Sequence, residues 1–263
     1  MEILVCVRRV PDTSENEIEL NSAGNDIERD ELVYSINEWD NYAVEEALQI
    51  VGRVGGKVTV VTVGDDEDEE VLRREMAMGA SHGVLLSDEL FPGSDGRGLA
   101  AILARFVQKG NYDLILTGVQ AEDGAAQVGG MLAAMLDYPF ASLVNSIELL
   151  DNKKLRVTRE IEGGNKEINE IDLPCVLSIQ TGINEPRYVG MRGIRQVASV
   201  PIPTFGASEL EIDPATVGGV AAKVKRVDYF VPAAGRGAEI LQGKPEEIAD
   251  KVLELVKSKG GLS

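Results

Sequence analysis

The stretch TGVQAEDGAAQVGG, Thr117–Gly130, joins an apolar run to a segment with helical periodicity. The preceding run, Tyr112–Thr117, has the length and branching expected of a parallel strand that is buried on both faces. After the stretch, apolar residues recur at helical spacing, namely Val128, Met131, Leu132 and Met135. The residues between strand and helix include several with little or no side chain: Gly118, Gly124, Ala125 and Ala126. Backbone N–H groups there could hold a phosphate at the positive end of the helix. Alternatively, the small residues make only a tight, closely packed turn.

Four strand-and-helix units follow one another in the first half of the chain. The predicted strands are Glu2–Val7, Lys57–Val63, Gly83–Leu86 and Tyr112–Thr117. The predicted helices run from Asn37 to Val54, from the Gly64–Asp66 cap to Met78, from Gly98 to Val107, and onward from Val128. This alternation predicts an α/β fold with a doubly wound, mostly parallel, Rossmann-like sheet. Ligands in such sheets bind at the carboxyl ends of the strands.

Three segments that connect these units have a local interpretation. Asn37 is expected to cap its helix, with Asp40 completing a partial capping box. Residues 8–12 are expected to form a loop, and Glu15–Val33 a hairpin-like excursion. Gly93–Gly98 could hold phosphate, but a turn that caps the next helix is the favoured interpretation.

The second half of the chain has a different hydrophobic period. Residues Ala141–Leu149, Leu155–Ile161 and Glu167–Ile171 alternate in polarity, which predicts an added antiparallel hairpin region. The apolar run Leu173–Ile179 returns a strand to the core, and residues 180–202 show little core pattern. We therefore divide the chain into an α/β nucleotide-binding domain, residues 1–200, and a C-terminal arm, residues 201–263, that ends in a helix from Pro245 to Lys257.

Composition excludes several classes of function. The 263 residues, 44% of them hydrophobic, are enough for a substantial globular core. With 44 acidic and 26 basic residues, the net charge of −18 disfavours nucleic acid and anionic membrane surfaces as partners. Apolar runs are shorter than the ~18 residues that a membrane span requires, and the chain enters a strand at once. A cytoplasmic protein is expected, or an organellar one after processing.

The cysteines and the histidine do not indicate catalysis or metal binding. Cys6 and Cys175 lie in apolar strands without CxxC or histidine spacing, so they are expected to be small buried hydrophobic residues. His82 has no Ser or Cys nucleophile placed beside it in the sequence and is interpreted as structural. No metal site is predicted.

Five stretches together resemble the beta subunit of electron transfer flavoprotein, the ETF/FixA family. They are VCVRRVPD (5–12), INEWDNYAVEEAL (36–48), GVQAEDGAAQVGG (118–130), TREIEGG (158–164) and LPCVLSIQTGINEPRY (173–188). The resemblance implies a heterodimer with an alpha subunit, on which residues 201–263 pack. It also implies that the dimer carries electrons from flavin dehydrogenases, such as acyl-CoA dehydrogenases, to a quinone-linked oxidoreductase. The beta subunit would then have no enzymatic turnover of its own.

The resemblance further implies two cofactors and a docking segment. FAD would be held mainly by the alpha subunit, near Glu160, which could otherwise be an exposed strand charge. The residues that would contact an adenine nucleotide in this chain are Cys6, Asn37, Glu38, Trp39, Asp40, Val63, Gly118, Val119, Gln120, Ala121, Glu122, Asp123, Gly124, Ala125, Ala126, Gln127 and Val128. Docking onto dehydrogenases would use residues 179–201, with Met191 as the apolar anchor among Pro186, Arg187, Tyr188, Arg192 and Arg195.

The identity of the nucleotide is left open by the loop sequence. Simple carriers of the family hold AMP, whereas members that bifurcate electrons carry a second FAD in this subunit. Residues 126–129, AQVG, resemble the bifurcating type, but the loop is one residue shorter and has Gly130 in place of proline. AMP is our leading expectation. A subunit of a bifurcating complex, or a stand-alone nucleotide-binding module, is the alternative. A stand-alone module would need neither the docking segment nor the arm.

Overall fold

The computed structural model describes residues 1–121, 124–151, 153–233, 235, 237–238 and 240–261. It divides into two compact units. The larger unit comprises Met1–Ile18 with Arg29–Arg226, and the smaller comprises Glu19–Glu28 with Val227–Ser263. Residues 201–226, which we assigned to the arm from the sequence, therefore lie in the unit that contains the sheet.

The strands of the larger unit, in chain order, are β1 (Glu2–Cys6), β2 (Arg9–Pro11), β3 (Tyr34–Ile36), β4 (Lys57–Val63), β5 (His82–Leu86), β6 (Leu114–Gly118), β7 (Phe140–Leu149), β8 (Lys154–Ile161), β9 (Asn165–Asp172), β10 (Cys175–Ile179) and β11 (Thr204–Phe205). Within the described residues, nine of them form one sheet in the order β11-β5-β4-β1-β6-β10-β7-β8-β9. Pairing is parallel from β11 to β7 and antiparallel from β7 to β9. The predicted mostly parallel sheet with an antiparallel hairpin region is confirmed.

The α-helices are α1 (Glu38–Val54), α2 (Glu69–Met78), α3 (Gly96–Val107), α4 (Val128–Leu136), α5 (Met191–Val197), α6 (Gly218–Ala221) and α7 (Pro245–Ser258). Helices α1 and α2 contribute to a core on one face of the sheet, and α3 and α4 to a core on the other. Alternate strand residues divide between these cores, so that Ile3 and Val5 lie in the first while Leu4 lies in the second. Burial on both faces explains why the parallel strands are continuously apolar in the sequence.

Two local predictions are wrong because they overlooked long-range contacts. Residues 8–12 were expected to be a loop, yet Arg9–Pro11 pair antiparallel with Tyr34–Ile36 in a separate two-stranded sheet. The segment after β10 was expected to have little order, yet it forms α5, and Ile183, Val189 and Val197 pack against the first core. The cap interpretation of Gly93–Gly98 agrees with the structure, in which the Asp95 side chain accepts a hydrogen bond from the Gly98 N–H at 3.0 Å.

None of the helices in the described part of the chain has both the length and the apolar character that crossing a membrane requires. The two cysteines are free, and burial raises the pKa of the Cys175 thiol to about 12. Cys175 therefore behaves as a small apolar core residue.

An unpaired carboxyl group lies inside the first core. Glu75 of α2 is 0% exposed, and neither of its side-chain oxygens has a hydrogen-bond partner among the described residues. Burial raises the pKa of Glu75 to about 8; Arg74 opposes this shift, whereas Asp40 and Glu45 add to it. The carboxyl group is therefore mostly protonated at neutral pH, which avoids a buried charge.

We predict that Glu75 makes the stability of the protein depend on pH. Between the unfolded pKa of about 4.5 and the folded pKa of about 8, the folded state holds a proton that the unfolded state has lost. The free energy of unfolding should consequently fall as pH rises through this window. Glu75→Gln cannot ionise, so its stability relative to wild type should increase by about 1 kcal/mol or more from pH 5 to pH 8. Urea unfolding at both pH values measures this difference. The exposed Glu89→Gln is the control, and equal pH slopes in wild type and Glu75→Gln would contradict the prediction.

Candidate functional site

A crevice is expected where the order of the strands reverses. The chain passes from β1 to β4 and β5 on one side, and then returns to β6 on the other side of β1. Ligands of open α/β sheets bind at such a switch point, outside the carboxyl ends of the strands. Here β1 ends at Cys6, with Arg8 two residues further on, and β6 ends at Gly118. The loop between β6 and α4, which follows Gly118, therefore lies at the switch point.

Asp40 connects the two strand ends. Its Oδ2 accepts a hydrogen bond from the backbone N–H of Arg8, and its Oδ1 accepts one from the N–H of Gly118, each at 2.9 Å. The carboxyl group is almost completely buried, in the first turn of α1. A Cβ at position 118 would meet Oδ1 of Asp40 and would lie 2.6 Å from Cβ of Trp39. Only glycine therefore allows β6 to approach α1 this closely.

The predicted capping box of α1 does not form. Asn37 occupies the N-cap position but makes no side-chain cap bond. Its Nδ2 instead donates to the carbonyl of Gln120 at 2.8 Å, while its backbone N–H donates to the carbonyl of Arg8 at 2.8 Å. Asn37 and Asp40 both contact the switch point, so the cap interpretation assigned them the wrong partners.

The electrostatics of this site are dominated by burial. Burial raises the pKa of Asp40 to about 7, although the hydrogen bonds that it accepts act in the opposite direction. Burial and the nearby charge of Asp40 also raise the pKa of Cys6 above its ordinary value. The thiol of Cys6 therefore stays protonated at neutral pH.

The described part of the loop after β6 is exposed to solvent. Residues 124–126 are exposed, and Gly124 and Ala126 have positive φ values of 62° and 51°. A Cβ at position 124 would meet nothing within 4 Å, so glycine is favoured there by the backbone conformation and not by packing. Two predicted contact residues, Glu122 and Asp123, lie outside the described residues. Gln127 precedes α4 without a side-chain cap bond, so its side chain does not satisfy the first N–H groups of the helix, which also lack intrahelical acceptors.

Tight packing does occur at the start of α4. Thr117 Oγ1 and Ser178 Oγ lie 2.8 Å apart in a buried hydrogen bond. A Cβ at Gly129 would meet both hydroxyl groups, which shows that the helix begins in contact with the ends of β6 and β10. The sequence allowed two interpretations of the loop, a phosphate site and a tight, closely packed turn, and each applies to different residues. Gly129 serves packing, whereas the backbone at Gly124 is open.

The remaining predicted contact residues lie around the same edge of the sheet. Val63 ends β4, and Val119 donates its N–H to the carbonyl of Ile179 at 3.1 Å. Trp39 Nε1 donates to Gln180 Oε1 at 3.1 Å, which ties α1 to the end of β10. Gln180 and Ser178 were not predicted from the sequence. Ser178 is a polar residue near the end of the apolar strand β10, and Gln180 directly follows that strand; these positions are the signal that could have identified them.

Glu160 lies apart from the switch point. It is exposed on β8, opposite Lys166 of β9, and both residues line a cavity of about 620 Å³. The other lining residues are mostly polar: Asn145, Ser146, Thr158, Ile168, Thr181 and Gly182. The hairpin region therefore carries a depression with a mostly polar lining.

The predicted docking segment is anchored on α1 but leaves its outer side chains exposed. Nε and Nη2 of Arg187 donate to the two carboxylate oxygens of Glu45 at 2.8 and 2.9 Å. Asn184 Nδ2 donates to Glu46 Oε2 at 3.1 Å. Tyr188 is 91% exposed and Met191 is 64% exposed. Of the other predicted docking residues, Pro186 is half-buried, while Arg192 and Arg195 are exposed on α5.

We predict that Asp40→Asn destabilises the fold. An amide has one acceptor oxygen and one donor NH₂ group, so the N–H of Arg8 or of Gly118 would lose its acceptor and face a donor. Leaving such a buried N–H unpaired costs about 1–3 kcal/mol. Urea unfolding of wild type and the variant at the same pH measures the loss. Glu38→Gln changes an exposed carboxylate two residues away and should cost less than about 0.5 kcal/mol. Equal stability of the two variants would show that Asp40 does not hold the strand ends.

Comparisons with known proteins identify the family. The family model for the electron transfer flavoprotein domain matches residues 25–210. The chain is 34% identical to electron transfer flavoprotein subunit beta of Methylophilus methylotrophus, over 97% of this chain and 98% of that protein. It is 35% identical to the caffeyl-CoA reductase-Etf complex subunit CarD of Acetobacterium woodii, over 98% of this chain and 99% of that protein. It is 32% identical to protein FixA of Azotobacter vinelandii, over 96% and 93% of the two chains. The chain therefore belongs to the electron transfer flavoprotein family, among the beta subunits and their FixA relatives.

Proposed function

We propose that this chain is the beta subunit of a heterodimeric electron carrier and holds an adenine nucleotide, AMP, as a structural ligand at the switch point. The observation that carries the proposal is that Asp40 joins the ends of β1 and β6 at the switch point, where the exposed residues 124–126 follow β6. The described loop backbone at Gly124 and Ala126, together with the start of α4, fits a phosphate group. The side chains of Asn37 and Asp40 are already used in internal hydrogen bonds, so they would shape the site more than they contact the ligand.

The polar cavity on the hairpin region fits the second part of the proposal. FAD held mainly by an alpha subunit would supply the transfer of one or two electrons. Glu160 and Lys166 would be the residues of this chain that line its surroundings. The beta subunit would then have no turnover of its own. Its contribution is to bind the partner and to exclude water from one side of the flavin.

The C-terminal residues support a partner subunit. In the smaller unit, Val227 is 97%, Phe230 75% and Ile240 82% exposed. Large apolar side chains that lie exposed close together in the sequence are typical of a surface that another protein covers. We therefore propose that residues 227–263 bind the alpha subunit.

The electron donor would dock on residues 179–201. The segment presents Tyr188 and Met191 to solvent while Arg187 and Asn184 fix its base to α1. An exposed apolar residue on an anchored segment is suited to a small, transient interface. Acyl-CoA dehydrogenase-type flavoenzymes are the proposed donors and a quinone-linked oxidoreductase the proposed acceptor. A stand-alone nucleotide-binding module would not need such a segment.

A second candidate function is a subunit of an electron-bifurcating complex, with a second FAD in place of AMP. The observation that favours it is the similarity to the CarD subunit, which is as strong as the similarity to the subunits named simply as beta subunits. The two functions differ in which molecule occupies the switch point.

Identifying the molecule bound at the switch point tests both functions. The chain should be purified alone and with its alpha subunit, and the ligands released on denaturation should be identified by mass. We expect AMP in both samples and FAD only in the dimer. Gly124→Val and Ala126→Glu should lose the nucleotide, because a branched side chain strains the positive φ and a carboxylate repels the phosphate.

Gly24→Val is the matched control for this experiment. Gly24 has a φ of 66° and no atom within 4 Å of an added Cβ, like Gly124, but it is not among the residues proposed to hold the nucleotide. This variant should keep the nucleotide. Full occupancy in both loop variants would refute the site. Stoichiometric FAD in the isolated chain would replace the simple carrier with the bifurcating subunit.

We also predict that Met191→Ala weakens docking without loss of stability. Truncation of an anchor in a small interface costs about 2 kcal/mol or more of binding. Reduction of the dimer by its dehydrogenase should therefore be slower by roughly tenfold or more at subsaturating carrier concentration. Flavin content and thermal stability should be unchanged, because Met191 is 64% exposed. Val54→Ala, an exposed apolar residue at the end of α1, is the control. A lower melting temperature with unchanged transfer would identify Met191 as a core residue.

A further inference from the structure

The end of α5 is capped by an arginine from another helix. The last carbonyl groups of a helix lack intrahelical donors. Arg73 of α2 places Nη1 at 3.1 Å from the carbonyl oxygens of Val197, Ala198 and Val200. Its Nη2 donates to Glu69 Oε2 at 2.7 Å. One half-buried guanidinium group therefore connects α2 to the C-terminal end of α5.

Helix α5 depends on such contacts. It has seven residues, too few for a stable isolated helix, and its N-cap residue Gly190 offers no side chain. It packs closely on the end of α2, since a Cβ at Gly193 would lie 3.0 Å from the carbonyl oxygen of Ala77. The positive charge of Arg73 also lies at the end of α5 where the helix dipole favours a cation.

The segment is therefore held at two points by two different helices. Arg187 binds Glu45 of α1 before α5 begins, and Arg73 binds the carbonyl groups at its end. Between these points, Met191 is 64% and Ile194 is 39% exposed. Residues three positions apart lie on the same side of a helix. The inward contact at Gly193 and the outward exposure of Met191 and Ile194 together define one orientation of α5.

We propose that Arg73 is a positioning residue for electron transfer. It holds α5 on α2 and so directs the apolar pair Met191 and Ile194 toward the protein that donates electrons. This inference rests on the proposed function, because it assumes that α5 is the docking surface. Arg73 acts through α5 and itself touches no donor.

The chemistry of the contact favours arginine over lysine. The planar guanidinium group reaches three carbonyl oxygens through Nη1 and a carboxylate through Nη2 at once. A lysine ammonium group is a compact point charge and would satisfy only part of this set. The pair with Glu69 alone is an ordinary helix-surface pair with a small contribution to stability. The contact with α5 is therefore the part that a substitution should reveal.

The test compares Arg73→Ala, Arg73→Lys and the control Arg74→Ala in the flavin-loaded dimer with the alpha subunit. Arg74 is the next residue of α2 and is exposed. Hydrogen exchange over residues 190–200 reports the order of α5. Steady-state reduction by an acyl-CoA dehydrogenase with its acyl-CoA reports docking, through the KM for the dimer and the kcat. Reduction by dithionite, which needs no docking surface, reports whether the flavin is intact.

We expect Arg73→Ala to speed hydrogen exchange of α5 and to raise the KM for the dimer by about fivefold or more, because the docking side chains lose their preorganisation. The kcat, flavin content and dithionite reduction should change little. Arg73→Lys should lie between wild type and Arg73→Ala, and Arg74→Ala should match wild type.

Each contrary result has a distinct meaning. Unchanged exchange in Arg73→Ala would show that Arg73 does not hold α5 and would overturn the proposal. Faster exchange with an unchanged KM would show that the order of α5 does not matter for docking and would also overturn it. If the wild-type dimer accepts no electrons from the dehydrogenase, the proposed donor is wrong and the docking role fails with it. The exchange data would then still decide the contact between Arg73 and α5.

Discussion

The hydrogen bonds of Asp40 to the N–H groups of Arg8 and Gly118 are the constraint on which the switch point depends. Strands β1 and β6 are neighbours in the sheet, but the connections that follow them leave in different directions. The backbone N–H groups of Arg8 and Gly118 therefore need acceptors outside the sheet. One buried carboxyl group satisfies both. The same contact fixes the start of α1, and Asn37 then reaches the loop through the carbonyl of Gln120. Helix α1 thus fixes the start of the loop, at Gly118 and Gln120, without the help of a ligand.

The strands and main helices could be predicted because their signals are local. A strand buried on both faces needs a continuous apolar run, as in Lys57–Val63, and a helix on the sheet needs one apolar face, as in α1. The turn at Gly93–Gly98 could be assigned because Asp95 accepts from a backbone N–H only three residues away. Such features require no knowledge of the rest of the chain.

The missed features depend on partners far away in the sequence. Helix α5 has only seven residues, and its end is held by Arg73, which lies 124 residues before Val197. Strand β2 contains a proline and exists only because Tyr34–Ile36 pair with it. The side chains of Asn37 and Asp40 fit a local capping box equally well, but contacts to Gln120 and Gly118 compete successfully for them. Sequence patterns identified these two residues as important, and only the structure shows what they bind.

Helix α1 has a role in the modular organisation of this protein. Asp40, at the switch point, and Glu45, which holds Arg187, are five residues apart and so are separated by about 8 Å along one helix. The base of the proposed docking segment and the start of the loop after β6 are therefore held by the same helix. The outward side chains of α5, Met191 and Ile194, are exposed, so they can diversify over evolution without disturbing the switch point. Insertions or deletions within α1, in contrast, would shift both regions together, and lineages should therefore preserve the length of this helix while its partners change.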